Sequence, residues 1–453
     1  MTAQTTPIKP NLVFILADDM RKDDLKYMPK TQTLLGAKGM KFENAFVSYG
    51  LCCPSRATIL TGQYAHNNGV WTNRNLPNTT DGGWEGFKAR GHEQDNLAVR
   101  LDDAGYSTGL LGKYFNHYQG TAVPPHWDRW FANFTFEYFD YDVNDNGTIK
   151  HFGTGKRDYL TDVLKRQTQQ FIGGSVARGR PFFAYVAPIA PHGPQTPAPR
   201  DQHTFDGLKA PRLSSFNEED VGDKPPWIGS QPVLDDAQIT RIDAQYEGRA
   251  ETLQALDDLV AGVVNKLKNA GALENTYIVF TSDNGWHSGE HRIPSEKAQP
   301  YEESIHMPLL VRGPGVEAGS TANSLALNTD FLPTFTDLAG ATTPEDVDGR
   351  SLRPLLGGST PATWRTAFLL ERGILPYAGL SQDAERLYGI RTSDGRKYVE
   401  YSGGFRELYN LKTDPYELLN SYDATSPPVD LATRLEALKG CAGATCRAAE
   451  DGP

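Results

Sequence analysis

The chain predicts an α/β fold: a large, mostly parallel sheet sandwiched by helices, followed by a small antiparallel sheet with a helix. Two observations carry this. Short, continuously apolar runs recur along most of the sequence, each ending in polar or charged residues. Such runs suit parallel strands covered on both faces. From about Thr363 the pattern changes to short alternating segments separated by Gly- and Ser-containing turns, as in a small antiparallel sheet. With 453 residues, the chain has room for one large unit, expected over 10–362, and a smaller one over 363–453.

The first strand is Leu12–Leu16, followed at once by Asp18 and Asp19. A second run, Lys41–Val47, leads through Ser48-Tyr49-Gly50 to Cys52 and Cys53. Pro54 then introduces a helix over Ser55–Leu60. Proline is favourable at a first helical position, where its missing N–H would be unpaired anyway. Cys52 is therefore expected at a strand-to-helix turn, at the positive end of the helix. Further strands are predicted at Thr108–Leu111, Phe182–Val186 and Tyr277–Phe280. Each leads into a polar group: Gly112-Lys113, Pro191-His192 and Asp283-Asn284. Sites in open parallel sheets form beyond the carboxyl ends of strands.

Leu253, Leu256, Leu259, Val260, Val263 and Leu267 fall at helical spacing and predict an amphipathic helix on the sheet. The stretch from Pro194 to Pro232 reads as a long loop, expected to rim a substrate cleft. In the carboxyl-terminal part, strands are expected at Arg386–Arg391, Lys397–Tyr401 and Glu407–Leu411, with a helix near Val429–Leu438.

The formal net charge is −11, which argues against a basic nucleic-acid-binding surface. No run approaches the roughly 20 apolar residues of a membrane helix, and no membrane association is expected. Met1–Pro10 lacks a positive segment followed by an apolar one, so no signal peptide is read there. Of the four cysteines, Cys441 and Cys446 suit a short disulfide loop or two free thiols. A disulfide would point to an oxidising compartment, hence secretion or a periplasm.

The most specific segment is Cys52-Cys53-Pro54-Ser55-Arg56, continued by Leu60-Thr61-Gly62. With Asp18-Asp19 and Asp283-Asn284 it resembles the type I sulfatases of the alkaline phosphatase superfamily. That resemblance runs from about Pro10 to Leu411 and includes Glu407-Leu408-Tyr409-Asn410-Leu411 and Asp414-Pro415. It implies a sulfuric ester hydrolase in which a maturation enzyme oxidises Cys52 to formylglycine. The hydrated aldehyde attacks sulfur with one hydroxyl and displaces the alcohol. The second hydroxyl then loses its proton, and C–O cleavage releases sulfate and restores the aldehyde. A serine lacks that second step.

The resemblance further implies a metal site of Asp18, Asp19, Asp283, Asn284 and the modified Cys52. Hard oxygen ligands suit Ca²⁺, with Mg²⁺ as the alternative. Taken alone, Asp-Asp after a strand is an ordinary helix cap, and Ser282-Asp283-Asn284-Gly285 an ordinary turn. Arg56, Lys113, His192 and Lys297 match the family's catalytic and sulfate-binding positions, with His192 favoured as the acid for the leaving alcohol and Lys297 close behind. Many members carry a histidine two residues after the first lysine; here that residue is Phe115.

Gly112–Tyr118, Pro124-Pro125, Trp127 and Asp283–His287 instead look like the branch of N-acetylglucosamine-6-sulfatases and heparan endosulfatases. Asn116 and His287 are then candidates for contact with sulfate or sugar, although His287 equally reads as a loop residue. A sulfated saccharide or aryl sulfate is the expected substrate. The other readings are a phosphomonoester or phosphonate hydrolase of the same superfamily, and an inactive binder of sulfated glycans. Oligomeric state is open.

Overall fold

The computed structural model describes residues 9–75, 79–359, 361–374 and 385–452. A ten-stranded mixed sheet forms the centre. In chain order its strands are β1 (Asn11–Ala17), β2 (Met40–Phe42), β4 (Ser107–Gly112), β5 (Arg129–Asn133), β6 (Tyr141–Asp145), β7 (Thr148–Phe152), β8 (Phe182–Ala187), β9 (Thr276–Ser282), β10 (Leu309–Arg312) and β11 (Ser320–Ala322). Between β2 and β4 the short β3 (Ala45–Phe46) pairs with β12 (Ala326–Leu327) in a separate parallel ribbon. The spatial order of the large sheet is β11-β2-β10-β9-β1-β8-β4-β5-β6-β7. The middle run β9-β1-β8-β4-β5 is parallel throughout. Antiparallel strands flank it on both sides.

Alternation along β1 separates two cores, as a two-residue side-chain period requires. Leu12, Phe14 and Leu16 pack with α1 (Cys52–Thr61) and a helix over Phe331–Ala339. Val13, Ile15 and Ala17 pack beneath α2 (Leu160–Ala177) and α3 (Asp236–Asn269). Both faces are thus covered, which is why the strand is apolar at every position from Leu12 to Ala17.

Several boundaries differ from the sequence reading. The run Lys41–Val47 is broken at Glu43-Asn44 into β2 and β3. The helix α1 begins at Cys52, so Pro54 is its third residue and not its first. The proline is still tolerated, because none of the first four N–H groups of a helix has an intrahelical acceptor. Gly62, at φ 72°, ends that helix in the left-handed conformation. The helix α3 is 34 residues long, starting well before Leu253, and Asp235 and Gln238 form its capping box. The β6–β7 edge, with polar side chains and a tight turn at Asn146-Gly147, gave no apolar run to read, and the short buried run Trp130-Phe131-Ala132 of β5 was not read either.

From Pro194 to Pro232 the chain is irregular apart from a turn of helix at Pro226–Gly229. The carboxyl-terminal sheet has four strands, β13 (Ala367–Arg372), β14 (Leu387–Thr392), β15 (Arg396–Tyr401) and β16 (Arg406–Asn410), all antiparallel. The strand β13 was not expected. The helices α4 (Val429–Lys439) and α5 (Ala444–Asp451) follow. Cys441 and Cys446 form a disulfide between them.

Candidate active site

The carboxyl ends of β9, β1, β8 and β4, neighbours in that order, carry Asp283-Asn284, Asp18-Asp19, His192 and Lys113. The geometry at β4 explains the Gly-Lys pair. A Cβ on Gly112 would lie 2.1 Å from the Ala187 carbonyl oxygen, and its φ of 120° suits glycine. Glycine therefore lets β4 close onto β8 where Lys113 leaves the sheet.

The amino terminus of α1 points into this ring. Its N-cap, Leu51, has extended backbone and no capping side chain. The first turn instead holds Cys52, where the helix dipole favours negative charge. The Cys53 N–H is satisfied by Asn73 Oδ1 at 2.9 Å.

Cys52 Sγ lies 3.6 Å from Asp18 Oδ1, 3.9 Å from Asp19 Oδ1 and 2.9 Å from Lys297 Nζ. Lys113 Nζ donates to Asp18 Oδ2 at 2.6 Å, and Lys297 Nζ donates to Asp19 Oδ1. Arg56, fully buried, donates from Nε to Asp283 Oδ2 at 2.8 Å and from Nη1 to the Lys113 carbonyl at 2.9 Å. The structure therefore brings together Cys52, Arg56, Lys113, Lys297, Asp18, Asp19, Asp283 and Asn284.

Electrostatics follow from this pairing. Burial by itself would raise the Asp18 pKa, but Lys113, then His192 and Arg56, hold the carboxyl well below its ordinary value. Asp19 is likewise kept ionised against burial, chiefly by Lys297. Both lysines stay charged, although burial opposes it, because these carboxylates face them. Burial pushes the Cys52 thiol far up, and Lys113 and Lys297 offset this only in part. An unmodified thiol here is protonated at neutral pH and a poor nucleophile.

The residues fit a hard divalent cation. Carboxylate oxygens of Asp18, Asp19 and Asp283 lie within 4.8 Å of one another. Asp19 Oδ2 and Asn284 Oδ1 are buried without a hydrogen-bond partner among the described residues. Oxygen donors of this kind, left open in a buried cluster, match Ca²⁺ or Mg²⁺ and not a soft metal.

His192 stands at the mouth, its side chain 20% exposed. Its Nδ1 donates to the Gly193 carbonyl at 2.7 Å, which leaves Nε2, 3.7 Å from Asp19 Oδ2, as the titrating atom. Burial lowers its pKa, against the pull of Asp19 and Asp18. Phe136 stacks on the imidazole, with ring centroids 4.3 Å apart and planes 15° from parallel, and also lies 4.8 Å from Lys113 Nζ.

Asn116 is beside Cys53: its N–H meets Cys53 Sγ at 3.2 Å, and its Oδ1 is buried and unpartnered among the described residues. Cys53 is a fully buried free thiol. Phe115, where the family's histidine is missing, packs on Phe87 in the core. His287 is not brought to the cluster. It is fully buried against Tyr301, and burial lowers its pKa to about 3. The turn folds so that Trp286, not His287, faces Lys297 and Arg249.

Sequence reading missed Phe136 and Arg249. Arg249 Nη2 donates to the Asp19 carbonyl at 2.6 Å and to Asp24 Oδ2 at 2.8 Å. A signal for it existed: Arg249 continues the buried stripe Ile242, Tyr246, Leu253, Leu256 on α3. An arginine in an apolar stripe needs a buried acceptor. A cavity of about 590 Å³ beside Lys22, Lys41 and Glu302 includes none of the clustered residues.

A charged ring around the first turn of α1, at the carboxyl edge of a parallel sheet, is an arrangement suited to binding and hydrolysing an anionic ester. The sulfatase family profile matches residues 10–341, and the N-sulphoglucosamine sulphohydrolase carboxyl-terminal profile matches residues 289–438. N-acetylglucosamine-6-sulfatase of Capra hircus is 35% identical, over 97% of this chain and 85% of its own length. The fold is shared with a solved structure of a protein in complex with its substrate D-glucosamine-2-N,6-O-disulfate. That match has a TM-score of 0.82 at 24% identity and covers 98% of this chain and 99% of the other. The fold is also shared with the phosphonate monoester hydrolase of Agrobacterium radiobacter, with a TM-score of 0.72 at 22% identity, covering 95% of each chain. The chain belongs to the sulfatase family and is a sulfuric ester hydrolase.

Proposed function

We propose that the substrate is a sulfated amino sugar carrying its ester on an exposed hydroxyl, and that Cys52, Arg56, Lys113, His192 and Lys297 carry the reaction. The observation that carries this reading is the position of Cys52 Sγ between Asp18, Asp19 and Lys297 at the positive end of α1. The sugar class is supported by the named activity of the goat relative.

Residue 52 would act after oxidation to formylglycine by a maturation enzyme, the hydrated aldehyde supplying one hydroxyl to attack sulfur and a second to expel sulfate. When Ca²⁺ is bound, Asp18, Asp19, Asp283 and Asn284 would hold it, and it would supply Lewis-acidic charge at the nucleophile. The remaining work falls to the chain. Three carboxylates are balanced by Arg56, Lys113 and Lys297. A divalent ion then leaves a surplus of positive charge, which a sulfate monoanion can occupy.

Lys113 and Lys297, each already paired to one carboxylate, flank the place where sulfate oxygens would sit. Arg56 orients Asp283 and braces the first turn of α1. His192 Nε2, at the exposed end, gives its proton to the leaving oxygen. Asn116 is kept as a contact to the substrate, on the strength of its unpartnered Oδ1. His287, whose ring nitrogens are likewise buried and unpartnered among the described residues, is given no such part because it packs against Tyr301 away from the cluster. Its backbone N–H donates to the Glu296 carbonyl at 2.8 Å and so steadies the segment that leads to Lys297.

The test is sulfate release by the matured enzyme from a panel of sulfated mono- and oligosaccharides, beside the sulfate and phosphate esters of one phenol. Release from 6-O-sulfated glucosamines is expected. A clear preference for the phosphate ester, or turnover of the phenol ester alone, overturns the reading.

A further inference from the structure

We infer that the chain binds a second divalent cation, of the Ca²⁺ type, where Asp206, Glu247 and Glu251 converge. A carboxylate oxygen from each lies within 4.8 Å of the other two. Among the described residues no lysine or arginine pairs with any of them. The one basic partner is the exposed His203, whose Nδ1 meets Asp206 Oδ1 at 2.9 Å. Glu247 Oε2 accepts the Gly207 N–H at 2.7 Å.

Glu251 supplies the independent observation. It is 6% exposed, and its Oε1 is buried with no hydrogen-bond partner among the described residues. A buried carboxylate oxygen is costly unless a donor or a cation meets it. Two further carboxylates converge with it, and the basic group beside them among the described residues is the exposed His203, paired to Asp206.

The donor set selects the ion. It is all carboxylate oxygen, partly open to water and irregular, which suits Ca²⁺ better than the strict octahedron of Mg²⁺. Glu247 and Glu251 are four residues apart and share one face of α3. Asp206 comes from the irregular segment after His192. The ion would clip that segment onto α3, the same helix whose Arg249 holds the Asp19 carbonyl. A site of three partly hydrated carboxylates is expected to bind with a dissociation constant of about 10⁻⁵ to 10⁻³ M.

The experiment counts calcium per chain, after chelation and re-equilibration, in the full-length wild type, Glu251→Gln, Asp206→Asn and Asp283→Ala. Asp206 is exposed, so its substitution leaves the fold intact. Two ions are expected in the wild type and one in each variant, with Glu251→Gln and Asp206→Asn retaining sulfate release. A wild-type count that neither Glu251→Gln nor Asp206→Asn lowers overturns the proposal. If the wild type holds one ion, its loss in Glu251→Gln supports this site and leaves the Asp283 site in question, while its loss only in Asp283→Ala overturns this one. Millimolar calcium should also slow trypsin cleavage after Lys209 in the wild type but not in Glu251→Gln; equal cleavage with and without calcium overturns the clip.

Discussion

Arg249, halfway along a helix, holds the carbonyl oxygen of Asp19 at 2.6 Å, and Asp19 sits at φ 64°. A non-glycine residue in that region costs roughly 1–3 kcal/mol and persists only when its neighbours enforce it. The Asp19 N–H is held by Asp283 Oδ1 at 3.1 Å, and the next N–H, of Met20, by Ser282 Oγ at 2.8 Å. These bonds turn the Asp19 carboxylate toward Lys297 and the open quadrant of the cluster.

The first prediction separates two jobs of Arg249. Arg249→Met should weaken calcium at the Asp19 site by about 10–100-fold, the usual cost of removing a group that orients a ligand. It should also cost about 3–5 kcal/mol of stability, because it leaves Asp24 buried without its ion-pair partner, held by the Arg21 N–H alone among the described residues. Adding Asp24→Asn should restore most of the stability and none of the calcium affinity. Recovery of both, followed by denaturant melts and calcium titration, would show that Arg249 serves the fold alone.

The second prediction concerns His192. Because the Gly193 carbonyl fixes the Nδ1 proton, the proton available to a leaving group is on Nε2. Burial lowers this pKa below 6.5, so the protonated fraction falls as pH rises through a value on the acid side of 6.5. Turnover of a sugar sulfate, whose alkoxide must be protonated, should fall along that limb. Turnover of a nitrophenyl sulfate, with a stable phenolate, should not. His192→Gln should lower the first by about 10²–10⁴-fold and the second far less. Equal losses on both substrates would remove His192 as the acid.

The sheet's parallel centre was legible because β1, β4, β8 and β9 are buried on both faces and so carry short apolar runs, such as Leu12–Ala17 and Phe182–Ala187. Much of the cluster was legible because Asp18, Asp19, Asp283, Asn284 and Lys113 sit directly after those strands and Cys52 and Arg56 in the one motif that opens α1. Lys297, in an irregular segment well past β9, was read only through the family resemblance. Chain neighbours carry such information. Arg249 and Phe136 were not found because they reach the site across the fold, from the side of a helix and from a loop after β5. The edge strands β6 and β7 escaped for another reason. Only one face, or none, is covered, so polar residues such as Asp142, Lys150 and His151 interrupt any apolar pattern.

The third prediction follows from the Cys441–Cys446 bridge. It closes a short loop, of sequence separation 5, so its effect on the unfolded chain is modest, about 2 kcal/mol by loop-closure entropy. The loop is also an anchor. Its Cys441 carbonyl accepts from Asn67 Nδ2 at 3.0 Å and contacts His66 Nε2 at 2.9 Å, and α5 carries Glu450 into a buried pair with Arg365. Reductant should lower the denaturation midpoint of the wild type and leave that of a Cys441→Ser, Cys446→Ser double variant unchanged. Hydrogen exchange in Ala444–Asp451 should rise before the rest of the chain. A midpoint indifferent to reductant in the wild type would mean that the cysteines are unpaired in solution.

The last prediction uses a histidine buried away from the clustered residues. His287 is fully buried, and burial depresses its pKa to about 3 from an ordinary 6.5. The unfolded chain therefore takes up a proton at this residue near pH 6.5, while the folded protein does not until far lower. The unfolded state binds more protons across that window, so stability falls as pH is lowered. For this histidine alone the linkage amounts to about 2 kcal/mol between pH 7 and pH 5. Buried carboxylates with raised values, such as Glu218 and Glu417 at about 7, act in the opposite direction, since the folded state takes their protons first. They do so equally in a His287→Gln variant, so the difference between the two proteins isolates the histidine. His287→Gln should be less stable at pH 7, where it loses packing against Tyr301, yet lose about 2 kcal/mol less than the wild type on going to pH 5. Parallel stability curves for the two proteins, measured by denaturant melts at each pH, would show that the imidazole is protonated in the folded state and that the turn after Trp286 is open to water.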